Sequence, residues 1–168
     1  MRGIIPFDAV DIVKNANGIA KIHAMLFQVQ RGLVRIPLEL HGQEISQFYR
    51  RMVFNVFARN QDDHVKNISF LMDRTGKWSL APAYDITYAY NPGGMWTGVH
   101  QMTINGKQSA IDLQDLFTSG HIMGLRKTDI ENIISNVRTS LTQWDKFAES
   151  AGLPEQVAEK ISKQFEIP

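Results

Sequence analysis

"NISFLMDRTGKWSLAPAYD" (residues 67–85) is the stretch that most directly indicates a fold, because it has the pattern of a β-hairpin. Two apolar, strand-prone runs flank the turn D-R-T-G at 73–76, whose glycine suits a position with positive φ. Pairing outward from that turn places Asn67 level with about residue 83. Asp85 therefore returns to the neighbourhood of Asn67, and the hairpin predicts a polar site built from separate parts of the chain.

The residues before the hairpin predict an amphipathic helix. The stretch "EISQFYRRMVFNVFARN" (44–60) places apolar side chains at near 3.6-residue spacing, and Asn60 marks its end. The side chains on the predicted core face are Ile45, Phe48, Met52, Val53, Val56 and Phe57.

Two signals in the middle of the chain predict a turn and a short helix. Asn105-Gly106 is the strongest two-residue turn signal in the sequence and predicts a second hairpin. Asp112 is a suitable cap for a short helix that stops at Gly120.

The last third of the chain predicts helix. Thr128 with Glu131 has the form of a capping box. A periodic apolar stripe follows and closes at Gly152, and Pro154 suits the first turn of a final helix. The stripe consists of Ile130, Ile133, Ile134, Val137, Leu141, Trp144 and Ala148.

The first 43 residues predict a helical lead-in with less definition than the rest. Segments 7–15 and 18–30 have helical patterns separated at Asn17-Gly18, whereas residues 33–40 favour an extended chain. The fold class predicted for residues 1–168 is α+β and mostly helical, with one or two small hairpins.

Composition indicates one globular domain, in which residues 44–110 carry the loop and hairpins and residues 111–168 the C-terminal helices. The formal net charge of +1 gives no footprint for nucleic acid or an anionic membrane, so neither is expected as a partner. The absence of cysteine excludes disulfides and thiolate metal sites. We expect a cytoplasmic protein with no signal peptide or membrane span. Three tryptophans are expected to pack internally: Trp78, Trp96 and Trp144.

The polar loop before the hairpin supplies groups suited to phosphoryl transfer. Asn67 and Asp85 offer the hard oxygen ligands that Mg²⁺ prefers. Lys66 is a point charge able to neutralise phosphate oxygens, and Asp62 can accept a hydrogen bond from an incoming hydroxyl. The interval from Asp62 to Asn67 is the aspartate-to-asparagine interval of the protein-kinase catalytic loop, which favours Asp62 over Asp63.

Each of these side chains also has a structural interpretation. Asp62 could be a loop or cap residue, Lys66 an ordinary solvated lysine, and Asp85 an acceptor of backbone hydrogen bonds. His64 is expected to be structural, with its ring bonded to loop backbone, and Asp63 is expected to be exposed without a catalytic role.

The stretch "FNVFARNQDDHVKNISFLMDRTGKWSLAPAYDITYA" (54–89) resembles the catalytic core of the HipA family, the kinase toxins of bacterial toxin–antitoxin modules. Members carry an N-x-D-D-H-x-K-N-like loop, found here at 60–67, and a P-A-Y-D-[ILV] segment, found here at 82–86. The resemblance extends over about residues 45–152. The loop is also similar to the D-x-H-x-x-N loop of phosphoinositide 3-kinases, which supports the same chemistry.

The resemblance implies a protein-kinase-like C-terminal lobe in which Asp62 is the catalytic aspartate. It gives Asn67 and Asp85 to Mg²⁺–ATP, with His64 and Lys66 supporting the loop. It also implies phosphorylation of serine or threonine, protein substrates such as an aminoacyl-tRNA synthetase, and restraint by a HipB-like DNA-binding antitoxin.

A kinase also needs an N-terminal lobe, and no G-x-G-x-x-G loop precedes residue 60. The sequence therefore resembles only the C-terminal lobe, and we expect little turnover unless an N-lobe or small companion protein completes the cleft in trans. One alternative is a non-catalytic, pseudokinase-like protein-binding module. Another is phosphoester hydrolysis with Asp62, His64 and Asp85, which the loop disfavours because it supplies few metal ligands.

Overall fold

The computed structural model of the protein describes residues 3–6, 12–14, 20–22 and 42–168. These residues form a mostly helical α+β fold, as the sequence predicts. In chain order the elements are β1 (Gly3–Pro6), β2 (Ile12–Lys14), β3 (Ala20–Ile22), α1 (Gly42–Phe57), a 3-10 turn (Val65–Asn67), β4 (Ser69–Met72), β5 (Trp78–Leu80), α2 (Leu113–Ile122), α3 (Lys127–Leu141), α4 (Trp144–Ser150) and α5 (Glu155–Ser162).

The predicted hairpin forms with the predicted register. Strands β4 and β5 are antiparallel, and Phe70 lies opposite Leu80. The turn is closed by Asp73 Oδ1, which accepts hydrogen bonds from the backbone N–H and hydroxyl of Thr75 at 2.8 and 2.7 Å. Gly76 has φ +84°, the conformation for which glycine is suited. Strand β1 adds to the outer edge of β4 and makes a three-stranded sheet in the order β1-β4-β5.

Part of the helical lead-in expected before residue 44 is wrong. β2 lies within 7–15 and β3 within 18–30, and the two strands pair with each other as an antiparallel ribbon. Short apolar runs fit strand as well as helix, so periodicity alone does not separate them. In sequence, Asn17-Gly18 falls between the two strands, and such a pair is a hairpin signal as well as a helix breaker. The expected extended segment 33–40 lies outside the described residues.

Helix α1 is the centre of the core, and the apolar face predicted for it is confirmed. All six predicted side chains are buried. Tyr49 is fully buried as well, and its hydroxyl donates to the Leu116 carbonyl at 3.0 Å. Burial raises the pKa of Tyr49. α1 packs against α3, whose buried side chains are Ile130, Ile133, Ile134, Val137 and Leu141.

Helix α2 begins where the sequence predicts and ends later. Asp112 caps it and forms a reciprocal capping box with Asp115. Gly120 does not end the helix, which continues to Ile122. A Cβ atom at Gly120 would lie 2.7 Å from the side chain of Ile130, so this glycine allows close approach of α2 and α3. Gly120 is therefore required for helix packing. In the sequence alone, a glycine of this kind looks the same as one that ends a helix.

The Asn105-Gly106 signal makes a tight turn, as predicted, but a single bridge and not a long hairpin. Ile104 and Lys107 exchange two backbone hydrogen bonds of 2.9 Å. Both turn residues have positive φ, +48° and +81°. The turn delivers its side chains to the beginning of α2, where Asn105 and Lys107 bond the carboxylate of Asp115 at 2.9 and 2.7 Å.

Asp115 predicts an acid-sensitive contribution to stability. Burial alone would raise its pKa, but hydrogen bonds from Lys107, from the Asp112 backbone and from Asn105 outweigh burial and lower the pKa to about 2. A depressed carboxyl pKa stabilises the fold above the unfolded value near 4 and loses that contribution as pH falls towards 2. We expect Asp115→Asn to cost on the order of 1 kcal/mol at pH 7, since Lys107 is partly solvent-screened.

Urea unfolding of the wild type and Asp115→Asn at a series of pH values tests this prediction. The difference in unfolding free energy should be constant between pH 7 and 5 and shrink towards pH 2. Asp145→Asn, at an exposed position of α4, is the matched control and should show no such pH dependence. A pH-independent difference for Asp115→Asn would contradict the assignment.

The predicted C-terminal helix is two helices, and its predicted capping box does not form. α3 begins at Lys127 after Arg126, whose guanidinium makes two hydrogen bonds to Asp129 at 2.8 and 2.9 Å. The helix is interrupted after Leu141, although the apolar stripe continues, and at this point the Thr142 hydroxyl donates to the Thr139 carbonyl at 2.8 Å.

Beyond the interruption, the predicted ends are close to those observed. Gly152, with φ +70°, follows α4, and Pro154 directly precedes α5 instead of standing inside its first turn. Two tryptophans are half-buried as expected, but Trp96 is 67% exposed, which contradicts its predicted packing role. No helix within the described residues is both long and apolar enough to cross a lipid bilayer.

Candidate functional site

The polar loop leaves α1 and reaches β4 through one 3-10 turn. The Asn67 backbone N–H donates to the His64 carbonyl at 3.0 Å, which closes this turn. The Asn67 side-chain Nδ2 donates to the Asp62 carbonyl at 2.9 Å. The amide is thereby oriented with Oδ1 turned away from Asp62, and it is available as an acceptor or ligand.

Asp85 lies on the chain returning from β5. Its φ of +53° is in the left-handed region, which Asp tolerates better than most residues. The buried side chain of Asn60 holds this conformation, since its Nδ2 donates to the Asp85 carbonyl at 3.3 Å and to Asn55 Oδ1 at 3.0 Å. The strained backbone of Asp85 is therefore connected to α1 by hydrogen bonds through Asn60.

Asn67 and Asp85 line one small cavity, although they are far apart in sequence. The cavity has a volume of about 30 Å³, enough for a cation or one or two water molecules but not for a nucleotide. Its walls come from α1, the polar loop and the residues after β5: Phe48, Arg51, Met52, Asn55, Asn60, Asp63, His64, Asn67, Ile68, Asp85, Ile86 and Met102.

Asp62 and Lys66 are not among the residues that line this cavity. The Asp62 side chain is 44% exposed, and its carboxylate is 3.9 Å from His64 Nε2, whose ring does line the cavity. The Lys66 side chain is exposed, and its backbone carbonyl accepts the Tyr84 hydroxyl at 2.7 Å. Of the four predicted residues, Asn67 and Asp85 therefore line the cavity, Asp62 is half-exposed, and Lys66 faces solvent.

Asp63 is buried, which contradicts its predicted exposure. Its carboxylate accepts His100 Nδ1 at 2.7 Å and the backbone N–H groups of Gln101 and Met102 at 2.7 and 3.2 Å. These hydrogen bonds offset the free-energy cost of burying the carboxylate, which would be high if it had no partner. His64 Nδ1, expected to bond loop backbone, has no partner among the described residues.

Two of the side chains that line the cavity, Asn67 and Asp85, carry oxygen atoms of the kind that bind Mg²⁺. Buried atoms of Arg51, Asn60 and His64 lack hydrogen-bond partners in the part of the chain described, and all three residues line this cavity. Asp85 is an exposed residue, and its carboxylate makes no hydrogen bond to the described residues. One carboxylate and one amide oxygen are a small but suitable set for Mg²⁺, which keeps waters or substrate oxygens as its other ligands. No cluster of three or more acidic or histidine residues arranged for a metal occurs in the described ranges.

Arg51 brings a positive charge to the same cavity. Its Nη2 donates to the Ala81 carbonyl at 2.6 Å and so anchors the chain between β5 and Asp85. Burial lowers the pKa of Arg51, and Tyr84 opposes this effect. Sequence reasoning missed Arg51 because an arginine in an amphipathic helix reads as a solvated residue. It missed His100 because no spacing signal connects it with Asp63.

Comparison with known proteins identifies the family of the chain. A search among curated proteins finds no match. The sequence profile described as HipA-like C-terminal domain matches residues 14–166, which is nearly the whole chain. This range includes the polar loop, the hairpin and Asp85. The chain therefore belongs to the family of HipA-like C-terminal domains.

Proposed function

We propose that the chain is the catalytic lobe of a HipA-like serine/threonine protein kinase, the toxin of a bacterial toxin–antitoxin module acting in the cytoplasm. The single observation that supports this most strongly is the shared cavity of Asn67 and Asp85 beside Asp62. Phosphoryl transfer needs positioned oxygens for a cation and a carboxylate for the acceptor hydroxyl, and little further covalent chemistry from the protein.

The roles follow from the positions of the side chains. Asn67 Oδ1 and the Asp85 carboxylate would hold Mg²⁺, which supplies charge neutralisation at the phosphates of ATP. The half-exposed Asp62 accepts the hydrogen bond of the serine or threonine hydroxyl and orients it. His64 Nε2 lies 3.9 Å from the Asp62 carboxylate, and Lys66 meets phosphate oxygens from the solvent side.

The nucleotide itself must lie outside the cavity, because about 30 Å³ cannot hold a phosphate chain and a base. Residues 82–88 are exposed, and the nucleotide would bind against them on one side of the cleft. An opposite wall would come from an N-lobe or small companion protein in trans. Further proposed partners are a HipB-like DNA-binding antitoxin and a protein substrate such as an aminoacyl-tRNA synthetase.

A second candidate function is a non-catalytic protein-binding module, and one loop favours it. Met95 and Trp96 are 84% and 67% exposed, as apolar anchors at protein interfaces are before binding. They stand on a tightly built turn, in which a Cβ atom at Gly94 or Gly98 would lie 2.8 Å from its nearest neighbour. In that function the effect of the protein would survive Asp62→Ala and Asp85→Ala.

Calorimetric titration of the chain with ATP, with and without Mg²⁺, tests the proposed function. We expect binding that requires Mg²⁺ and is weak, with a Kd on the order of 0.1–1 mM. The affinity should be low because one lobe provides only part of the surface that contacts the nucleotide in a two-lobe cleft. Turnover on a protein substrate should be negligible for the chain alone. Binding that is indifferent to Mg²⁺ would contradict the proposal.

A further inference from the structure

Arg59 occupies a backbone conformation that normally favours glycine. It is the residue that follows Ala58 at the end of α1, and its φ is +57°. A non-glycine residue in the left-handed region is strained, and it persists where contacts with its surroundings offset the strain. The side chain of Arg59 therefore needs contacts that offset this cost.

Those contacts are made largely with the C-terminal tail, the residues 163–168 that follow α5. Arg59 Nε donates to the Gln164 carbonyl at 3.0 Å, and Nη1 lies 3.0 Å from Glu166 Oε2. The Glu166 backbone N–H donates to the Phe57 carbonyl at 2.9 Å. Phe165, between these two tail residues, packs edge-on against Trp144 with ring centroids 5.4 Å apart. The tail is thus attached to the base of the polar loop by side-chain and backbone bonds.

Arg59 also holds the segment that follows Asp85. Its guanidinium lies over the Tyr90 ring, 4.3 Å from the centroid. Its carbonyl accepts the Ala89 N–H at 3.1 Å, and the Ala89 carbonyl accepts the Gln61 N–H at 3.1 Å. These bonds form an isolated parallel bridge between Asn60 and Ala89. The bridge joins the loop that contains Asp62 to the segment that follows Asp85.

We propose that the C-terminal tail acts through Arg59 as a clamp that sets the relative position of the loop and of Asp85. Arg59 is a positioning residue: it lies outside the cavity and acts through the bridge whose two hydrogen bonds join Arg59 and Gln61 to Ala89. The functional part of this inference rests on the proposed function, since it concerns the pair that would bind Mg²⁺. The clamp itself is a property of the fold that can be measured without nucleotide.

The test compares Arg59→Gly and Glu166→Gln with the wild type. Glycine relieves the backbone strain while removing every side-chain contact, so Arg59→Gly should remain folded. Amide hydrogen exchange of peptides covering Gln61 and Ala89 should accelerate about tenfold in Arg59→Gly and less in Glu166→Gln. Affinity for Mg²⁺–ATP should fall roughly threefold to tenfold in Arg59→Gly, because misplacing a positioned group weakens binding.

Glu159→Gln is the matched control, because it breaks an exposed pair with Lys163 on α5 and leaves the clamp intact. It should change neither measurement. Unchanged exchange at Gln61 and Ala89 in Arg59→Gly would overturn the clamp. Faster exchange with unchanged Mg²⁺–ATP affinity would overturn the positioning role. If wild-type protein binds no Mg²⁺–ATP, the proposed function and the positioning role both fail, and the exchange result still decides the clamp.

Discussion

Asp85→Asn should remove the Mg²⁺-dependent part of nucleotide binding, with a loss of affinity of about tenfold or more. Within the part of the chain that the structure describes, two carboxylates line the cavity, those of Asp63 and Asp85. Asp63 is already committed to three hydrogen bonds, whereas Asp85 has none among the described residues. Asparagine keeps the size of the side chain and tolerates the positive φ, so the change removes mainly the negative charge.

Calorimetric titration with Mg²⁺–ATP and with ATP alone separates the two parts of binding. The wild type should lose affinity when Mg²⁺ is withheld, and Asp85→Asn should bind with the same low affinity in both conditions. Asp145→Asn makes the same chemical change at an exposed site of α4 and should behave as the wild type. Equal Mg²⁺ dependence in wild type and Asp85→Asn would exclude Asp85 as a ligand.

Asp63→Ala should destabilise the fold by about 3–5 kcal/mol, the range for breaking a buried ion pair or hydrogen-bonded network. The carboxylate is 1% exposed and joins the polar loop to the segment at 100–102. Its removal leaves the His100 ring and two backbone N–H groups buried without an acceptor. Asp62→Ala, one position earlier, should cost less than about 1 kcal/mol because that side chain is 44% exposed.

Urea unfolding of the two alanine variants side by side measures this contrast. Asp63→Asn is a milder second variant for use where the alanine protein is too unstable to give a native baseline. It retains one acceptor oxygen and should lie between the wild type and Asp63→Ala. Similar losses for Asp62→Ala and Asp63→Ala would mean that the buried network contributes little.

Much of the fold was predictable from sequence because the signals are local. The register of β4 and β5 follows from the turn at 73–76, and the buried face of α1 follows from apolar spacing. The pairing of β1 with β4 was not predictable in the same way, since no local signal specifies a distant partner. The break after Leu141 was missed because the apolar stripe continues past it.

The candidate site was predicted in part. Interval and hairpin geometry predicted that Asn67 and Asp85 would be neighbours, and the structure places them on one cavity. The assignment of Mg²⁺ and ATP to them stays a prediction. Exposure was the weak point: neighbouring aspartates look alike in sequence, yet Asp62 is half-exposed and Asp63 buried.

Sequence alone determined what depends on short-range geometry: the helix with its apolar face, the hairpin with its register, and the return of one acid to the loop. Tertiary structure decided what depends on long-range contacts. It buried Asp63 against His100, placed Gly120 against Ile130, and attached the C-terminal tail to Arg59. The physical reason is that hydrogen bonds and packing between distant segments leave no periodic or spacing signal, because either partner alone has an ordinary local environment.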